Sequence, residues 1–134
     1  MERPDDEDLI RRVRRRVLEG IAADATPRHL TVRSGADGWQ RLLDGVECKV
    51  LYEQDGVLSY LLRLAPATTL PAHRHERDEE CFVLEGELRI GDELVLRAGD
   101  YHVGRAGVPH AEIRTDGGAL VFLRGSPPDP SCFL

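Results

Sequence analysis

From residue 46 onward, short apolar segments alternate with glycine, aspartate and proline. The segments are rich in valine, leucine, isoleucine and aromatic residues, which favour strands. They predict seven strands, at 46–52, 57–64, 80–85, 87–90, 93–97, 109–114 and 119–124. The intervening stretches EQDG (53–56) and RIGDEL (89–94) have the composition of hairpin turns. Many short strands joined by close turns predict an all-β protein built as an antiparallel sandwich or barrel.

The N-terminal part follows a different pattern, typical of a short α-helix over residues 5–23. Apolar residues recur there on one stripe, at Leu9, Ile10, Val13, Val17 and Ile21. The arginines between 11 and 16 fall off this stripe, and we interpret them as a solvated helix face rather than a binding surface. Pro27 and the polar residues 34–38 indicate a linker. We therefore divide the chain into a helix with its linker, 1–27, and a β-domain, 28–134.

Two of the predicted strands, at 57–64 and 80–85, are apolar on both faces. A small isolated barrel buries only its inner face, so its strands would alternate between apolar and polar residues. The outer face must therefore be covered by the N-terminal helix or by a second subunit. Because one short helix covers little area, we expect a homodimer.

The residues with the clearest metal-ligand spacing are His73, His75, Glu79 and His110. Alternate residues of an extended strand point to one face, so the two histidines at 73 and 75 would face inward together. Glu79 would turn back into the same space after a bend, and His110 would reach it from a later strand. Three imidazoles and one carboxylate suit one divalent ion per chain, which could be zinc, iron, manganese, nickel or copper.

These residues resemble the first and second motifs of the cupin superfamily. In the first motif a glycine precedes H-x-H, a glutamate and a closing glycine; the matching positions are Ala67, His73, His75, Glu79 and Gly86. The second motif is matched at Gly99, Gly107 and His110, while Arg105 and Arg114 stand where proline and asparagine are usual. The resemblance implies an RmlC-like cupin, a double-stranded β-helix or jelly-roll barrel, over roughly residues 38–124, with a small-molecule ligand in the barrel as one use of the fold.

A closer likeness is to the cupin-like C-terminal domain of ChrR-type anti-sigma factors, carried by the stretches WQRLLDGVECKVL, LLRLAPATTLPAHRH, DEECFVLEGEL and LRAGDYHVGRAGVPH. In that family the corresponding three histidines and glutamate bind zinc, and the domain takes part in sensing oxidative stress. A separate N-terminal zinc-binding domain, with a histidine and a CxxC pair, grips the sigma factor. No cysteine precedes Cys48 in this sequence, so sigma-factor binding is not carried over.

Several residues near the constellation have two interpretations. Glu80 would replace Glu79 as the ligand if the bend moved by one residue, but the spacing from Glu79 to Gly86 matches the motif. Cys81 shares a face with Glu79, and we favour a buried apolar role for it over a redox-active thiol.

Glu112 is the candidate catalytic residue. It should share the face of His110, where it would serve as a general base, pair with Arg114 or Arg63, or lie at the open rim. His29 and His102 match no ligand position, so we expect them at the surface. Tyr60 and Tyr101 are interpreted equally well as pocket or core residues, and Trp39 as a packing anchor.

The composition of the chain argues against several classes of function. The net charge of −6 argues against nucleic-acid binding. No apolar run reaches membrane-spanning length and no apolar leader is visible, so we expect a cytoplasmic protein that does not bind membranes. Three cysteines far apart form neither a disulfide framework nor a CxxC knuckle. Three hypotheses remain: a metal-binding sensory or regulatory cupin, a mononuclear metal-dependent dioxygenase or isomerase acting on a small polar molecule, and a cupin that stores or binds a ligand without chemistry.

Overall fold

The computed structural model describes residues 28–72, 74, 76–109 and 111–126. The helix predicted over residues 5–23 and the division of the chain at residue 27 therefore concern a part outside the described residues. Within them the chain forms nine strands: β1 (Trp39–Leu43), β2 (Val46–Gln54), β3 (Val57–Leu64), β4 (Thr68–Leu70), β5 (Glu79–Ile90), β6 (Leu94–Arg97), β7 (Tyr101–Gly104), β8 (Ile113–Thr115) and β9 (Ala119–Gly125). The prediction of an all-β protein is confirmed.

All strand pairs are antiparallel, and the sheet runs in the order β1-β2-β3-β9-β5-β8-β4, with β6 and β7 also paired to β5. The long strand β5 makes the sheet curl, because its two halves have different neighbours. Its first half pairs with β7 and β9, and its second half pairs with β6 and β8. The neighbours change between Gly86, which still pairs with β9, and Glu87, which pairs with β6; a register shift between Val83 and Glu85 bends the strand just before this point.

The predicted and observed strand positions agree best where apolar residues dominate. The prediction of 57–64 coincides with β3. The predicted strands 80–85 and 87–90 are one strand, because the bulge bends β5 without ending it. The strand expected at 109–114 begins only at Ile113. Strands β1, β4 and β7 were not predicted, because they are short or mix polar with apolar residues.

The concave face of the sheet holds the hydrophobic core, and β3 shows its alternation most clearly. Leu58, Tyr60, Leu62 and Leu64 are buried, with more exposed residues between them. The core continues through buried residues of five other strands, β2, β4, β5, β6 and β9, and includes Cys48 and Cys81, both free thiols. Burial of these side chains is the main source of stability.

The convex face carries a second apolar set. Leu61, Phe122, Phe82 and Tyr101 are neighbours in register across β3, β9, β5 and β7. Phe82 is 39% exposed and Tyr101 is 55% exposed. The prediction of apolar residues on both faces is thus confirmed, whereas the homodimer stays a prediction. The described residues include no helix long and apolar enough to cross a membrane.

Candidate metal centre

Glu79 is a buried carboxylate at the start of β5, with only 9% of its surface exposed. It lies on the same face as Cys81 and Val83, since alternate strand residues share a face. The hydroxyl of Tyr60, itself buried in β3, donates a hydrogen bond to the Glu79 carboxylate. Burial raises the pKa of Glu79 to about 7, and this hydrogen bond opposes part of the rise. The same burial, together with the nearby carboxylate, raises the pKa of Tyr60 well above its ordinary value.

Glu80 lies on the opposite side of the sheet. Tyr101 donates a hydrogen bond of 2.6 Å from its hydroxyl to Oε1 of Glu80, and Arg124 approaches Oε2 at 3.2 Å. These two hydrogen bonds, the one from Tyr101 first, hold the pKa of Glu80 below its usual value. The predicted orientation of this pair, with Glu79 inward and Glu80 outward, is confirmed, while the ligand role of Glu79 stays a prediction.

The other three predicted ligands, His73, His75 and His110, lie outside the described residues. The described ends of the two connections that contain them are nevertheless adjacent. Leu70, which ends β4, pairs with Ile113, which begins β8. At the other end, the backbone amide of Ala106 donates a 2.8 Å hydrogen bond to Oδ1 of Asp78.

Glu79 stands beside these connections, since it pairs directly with Gly104 at the end of β7. Within the described residues, no three histidine, cysteine, aspartate or glutamate side chains form a cluster that could hold a metal ion. Glu79 is therefore the one predicted ligand among the described residues.

Two motif positions are explained by the backbone. Gly86 has a φ of 80°, and a Cβ there would clash with the carbonyl oxygen of Gly118 and lie 2.9 Å from Cα of Ala119. Only glycine fits such a close approach of two strands. Ala67, which replaces the opening glycine of the motif, also has a positive φ, of 60°. The turn before β4 thus keeps the conformation that favours glycine although the glycine is absent.

Residues 27–127 match the sequence profile of the ChrR Cupin-like domain family. The chain belongs to this family. The match covers every described strand of the ChrR cupin-like domain, including Glu79 and both connections that carry the predicted histidines.

Solved structures agree on the fold. ChrR of Rhodobacter sphaeroides, in complex with SigE, is 21% identical with a TM-score of 0.59, and the match covers 72% of this chain and 49% of that chain. Acetylacetone dioxygenase of Acinetobacter johnsonii is 13% identical with a TM-score of 0.67, covering 75% of each chain. KdgF of a Halomonas species is 18% identical with a TM-score of 0.59, covering 69% of this chain and 89% of that one. At these identities the likeness shows the cupin fold alone. No curated protein matches the chain.

His102 was missed by the sequence reasoning, which placed it at the surface. It is half-buried in β7 and pairs directly with Cys81, so it lies on the inner face of the sheet. Burial lowers the pKa of His102, which favours the neutral imidazole. The alternation of YHVG, with Tyr101 outward and His102 inward, would have revealed this if β7 had been recognised as a strand.

Cys81 is buried inside the domain, as predicted. Burial, reinforced by the Glu79 charge, raises the pKa of Cys81 to about 12. A thiol that stays protonated is a poor nucleophile and a poor metal ligand. The environment therefore supports the buried apolar role that we favoured.

Glu112 differs from the expectation. It is exposed and precedes β8, so the strand alternation that placed it inward beside His110 does not apply. Neither arginine considered as its partner makes a described ion pair with it: Arg63 stacks 3.9 Å over the ring of Trp39, and Arg114 pairs in register with Arg89. Glu112 is thus exposed, and its position at the open rim and its catalytic role both stay predictions.

The two tyrosines also have separate places. Tyr60 belongs to the core and contacts Glu79. Tyr101 lines an outer groove of about 350 Å³ together with Arg77, Asp78, Glu80 and Arg124. Trp39 packs beneath Arg63 on the outer face and is half-buried, and its role as a packing anchor stays a prediction.

Proposed function

We propose that this ChrR cupin-like domain is a metal-binding module with a sensory or regulatory role. His73, His75, Glu79 and His110 would hold one divalent ion, with zinc as the first choice. The observation that carries the proposal is the buried Glu79 carboxylate on the concave face of the sheet.

A buried carboxylate is costly unless it is paired or coordinated. Tyr60 supplies a neutral hydrogen bond, but burial still raises the pKa of Glu79 to about 7. A divalent cation would supply the positive charge that favours the ionised carboxylate. Three imidazoles and one carboxylate are a donor set that zinc accepts.

The position of Glu79 supports the same set of ligands. It adjoins two connections whose described ends are held together by the Leu70–Ile113 pair and by the hydrogen bond from Ala106 to Asp78. Both connections carry predicted histidines. Ligands that are far apart in sequence could therefore bind one ion beside Glu79, at this end of the sheet.

The hydrogen bond from Tyr60 to Glu79 also supports the proposal. Tyr60 orients the Glu79 carboxylate, as outer hydrogen-bond partners of metal ligands commonly do. An ion bound by side chains from both connections would fix one against the other, which suits a role in signalling through binding or release of the metal. Sigma-factor binding is not part of the proposal, because the match to the ChrR chain in complex with SigE covers only half of that chain.

Metal analysis of the protein purified without added metal tests the proposal. We expect one equivalent of zinc per chain, lost in the His75→Ala and Glu79→Gln variants. His29→Ala is the matched control, since His29 is an exposed histidine outside the predicted set. Stoichiometric metal in His75→Ala would show that the ligands are wrong.

Metal and oxygen-consumption measurements on the same preparation distinguish between the two proposed functions, a regulatory module and a dioxygenase. One equivalent of iron or manganese, with oxygen consumption in the presence of small diketones, would favour the enzyme. Zinc without oxygen consumption would favour the regulatory module. Fold likeness to an acetylacetone dioxygenase does not decide between them, because one fold supports both uses.

A further inference from the structure

The convex face of the sheet has an exposed apolar region over β5, β7 and β9. Phe82 and Leu84 both face outward, since Val83 between them is fully buried, and they are 39% and 42% exposed. Tyr101, directly opposite Phe82, is 55% exposed. Large apolar side chains grouped on one surface commonly mark a contact surface.

The other end of the same face is already covered by the chain. Lys49 pairs in register with Leu61, yet only 5% of it is exposed, although it is a lysine. Its Nζ donates a 2.8 Å hydrogen bond to the carbonyl of Arg33, and Trp39 closes the next turn by donating 3.0 Å to the carbonyl of Gly35. The segment that precedes β1 therefore lies on the convex face.

The position of this segment over Lys49 indicates which part of the chain covers the remaining exposed residues of the convex face. We propose that the apolar stripe of the N-terminal segment, formed by Leu9, Val13, Val17 and Ile21, packs against Phe82, Leu84, Tyr101 and Phe122 of its own chain. The segment reaches the domain over Lys49, at the covered end of a row that continues through Leu61 and Phe122 to the exposed end.

The dimensions agree with this placement. Neighbouring strands are about 4.8 Å apart, so the row from Leu61 to Tyr101 spans about 14 Å. In a helix, the stripe from Leu9 to Ile21 is about 18 Å long. The residues between Ile21 and Arg33 can extend over about 40 Å, which is ample to reach Phe82.

The placement also reduces the area that a second subunit was expected to cover. The Lys49–Arg33 hydrogen bond and the Arg63–Trp39 stack cover part of the face over β2 and β3. The exposed apolar residues around Phe82 lie on three strands, which one helix of about 10 Å diameter can cover, while Tyr52 of β2 is exposed elsewhere on the face. A second copy of the chain is therefore the competing occupant, and the experiment separates the two.

Photo-crosslinking of the full chain tests whether the N-terminal segment or a second copy of the chain covers the exposed region around Phe82. Phe82 is replaced by p-benzoylphenylalanine, which keeps an aromatic ring at the site, and the products are mapped by mass spectrometry. We expect crosslinks to residues 9–21 at the mass of a single chain. Leu94 is the matched control, because it is also 39% exposed but lies on β6, away from this face; the label there should give at least fivefold less of this product.

Substitutions in the segment complete the experiment. Val13→Asp with Val17→Asp should abolish the crosslink from position 82, whereas Arg14→Asp, off the stripe, should leave it within twofold. Crosslinks to β5, β7 or β9 at the mass of a dimer would overturn the proposal in favour of a second copy. Dimers linked through residues 9–21, or equal yields from positions 82 and 94, would overturn it as well.

Discussion

Two adjacent glutamates of β5 each accept a hydrogen bond from a tyrosine, one inside the domain and one outside. Tyr60→Phe removes the inner donor and leaves the buried Glu79 carboxylate with less support. We expect a loss of about 1.5–3 kcal/mol in unfolding free energy, the range for a hydrogen bond to a charged group. If Glu79 is a ligand, metal affinity should fall by about 10- to 100-fold. Urea unfolding and competition with a chromophoric chelator measure the two effects.

Tyr101→Phe is the control for this variant, because it removes the same hydroxyl from the outer glutamate. The Tyr101–Glu80 pair lies on the outer face of the sheet, away from the hydrophobic core and from Glu79, so the unfolding free energy should change by less than about 1 kcal/mol and metal affinity should not change. Equal effects of the two variants would contradict the distinction between the inner and outer sites.

Cys48 provides a test of thiol reactivity away from the candidate ligands. Burial in β2 raises its pKa to about 12 from an ordinary value of 9. At pH 8 the thiolate fraction should therefore be about a thousandfold lower in the folded chain than in the unfolded one. Iodoacetamide labelling of the Cys81→Ser, Cys132→Ser variant, with and without urea, measures this ratio.

The same shift fixes the direction of the pH dependence. Because the folded pKa is raised, the stability associated with this thiol is complete below pH 9 and is lost as the pH rises toward 12. Labelling of the folded protein within tenfold of the unfolded rate would show that Cys48 is accessible and ionisable.

At the scale of elements, Gly86 sets how closely β5 and β9 approach. Gly86→Ala combines an unfavourable φ with a clash against the backbone of Gly118 and Ala119, which cannot move as a side-chain end can. We expect a loss of about 3 kcal/mol or more in unfolding free energy, measured by urea denaturation.

Gly99→Ala separates the clash from the backbone conformation. Gly99 has a φ of 94°, but no atom lies within 4 Å of the position that a Cβ would take, so only the conformational cost of about 1 kcal/mol applies. A similar loss in both variants would show that the close approach of β5 and β9 contributes little.

The sequence predicted side-chain direction well inside regular strands and poorly beside them. The two-residue period placed Glu79 and Cys81 inside and Glu80 outside, because all three lie in one continuous strand. The same period failed for Glu112, because Glu112 precedes β8 and does not belong to a strand. His102 was missed for a related reason: β7 is four residues long and is defined by its pairing with β5, which local sequence does not reveal.

At the scale of the whole molecule, removal of the bound metal tests the proposed site through the stability of the domain. An ion held by Glu79 and by histidines of both connections would join parts of the chain that meet only in the folded state. At a free-metal concentration 100-fold above the dissociation constant, it would add about 2.7 kcal/mol to the unfolding free energy. Chelation should therefore lower the thermal midpoint by about 10 °C, and added zinc should restore it.

Glu79→Gln should not respond to the chelator, whereas Glu80→Gln, altered on the outer side of the same strand, should respond as the unaltered protein does. Equal responses of the two variants would place the ion away from the concave face and contradict the proposed site.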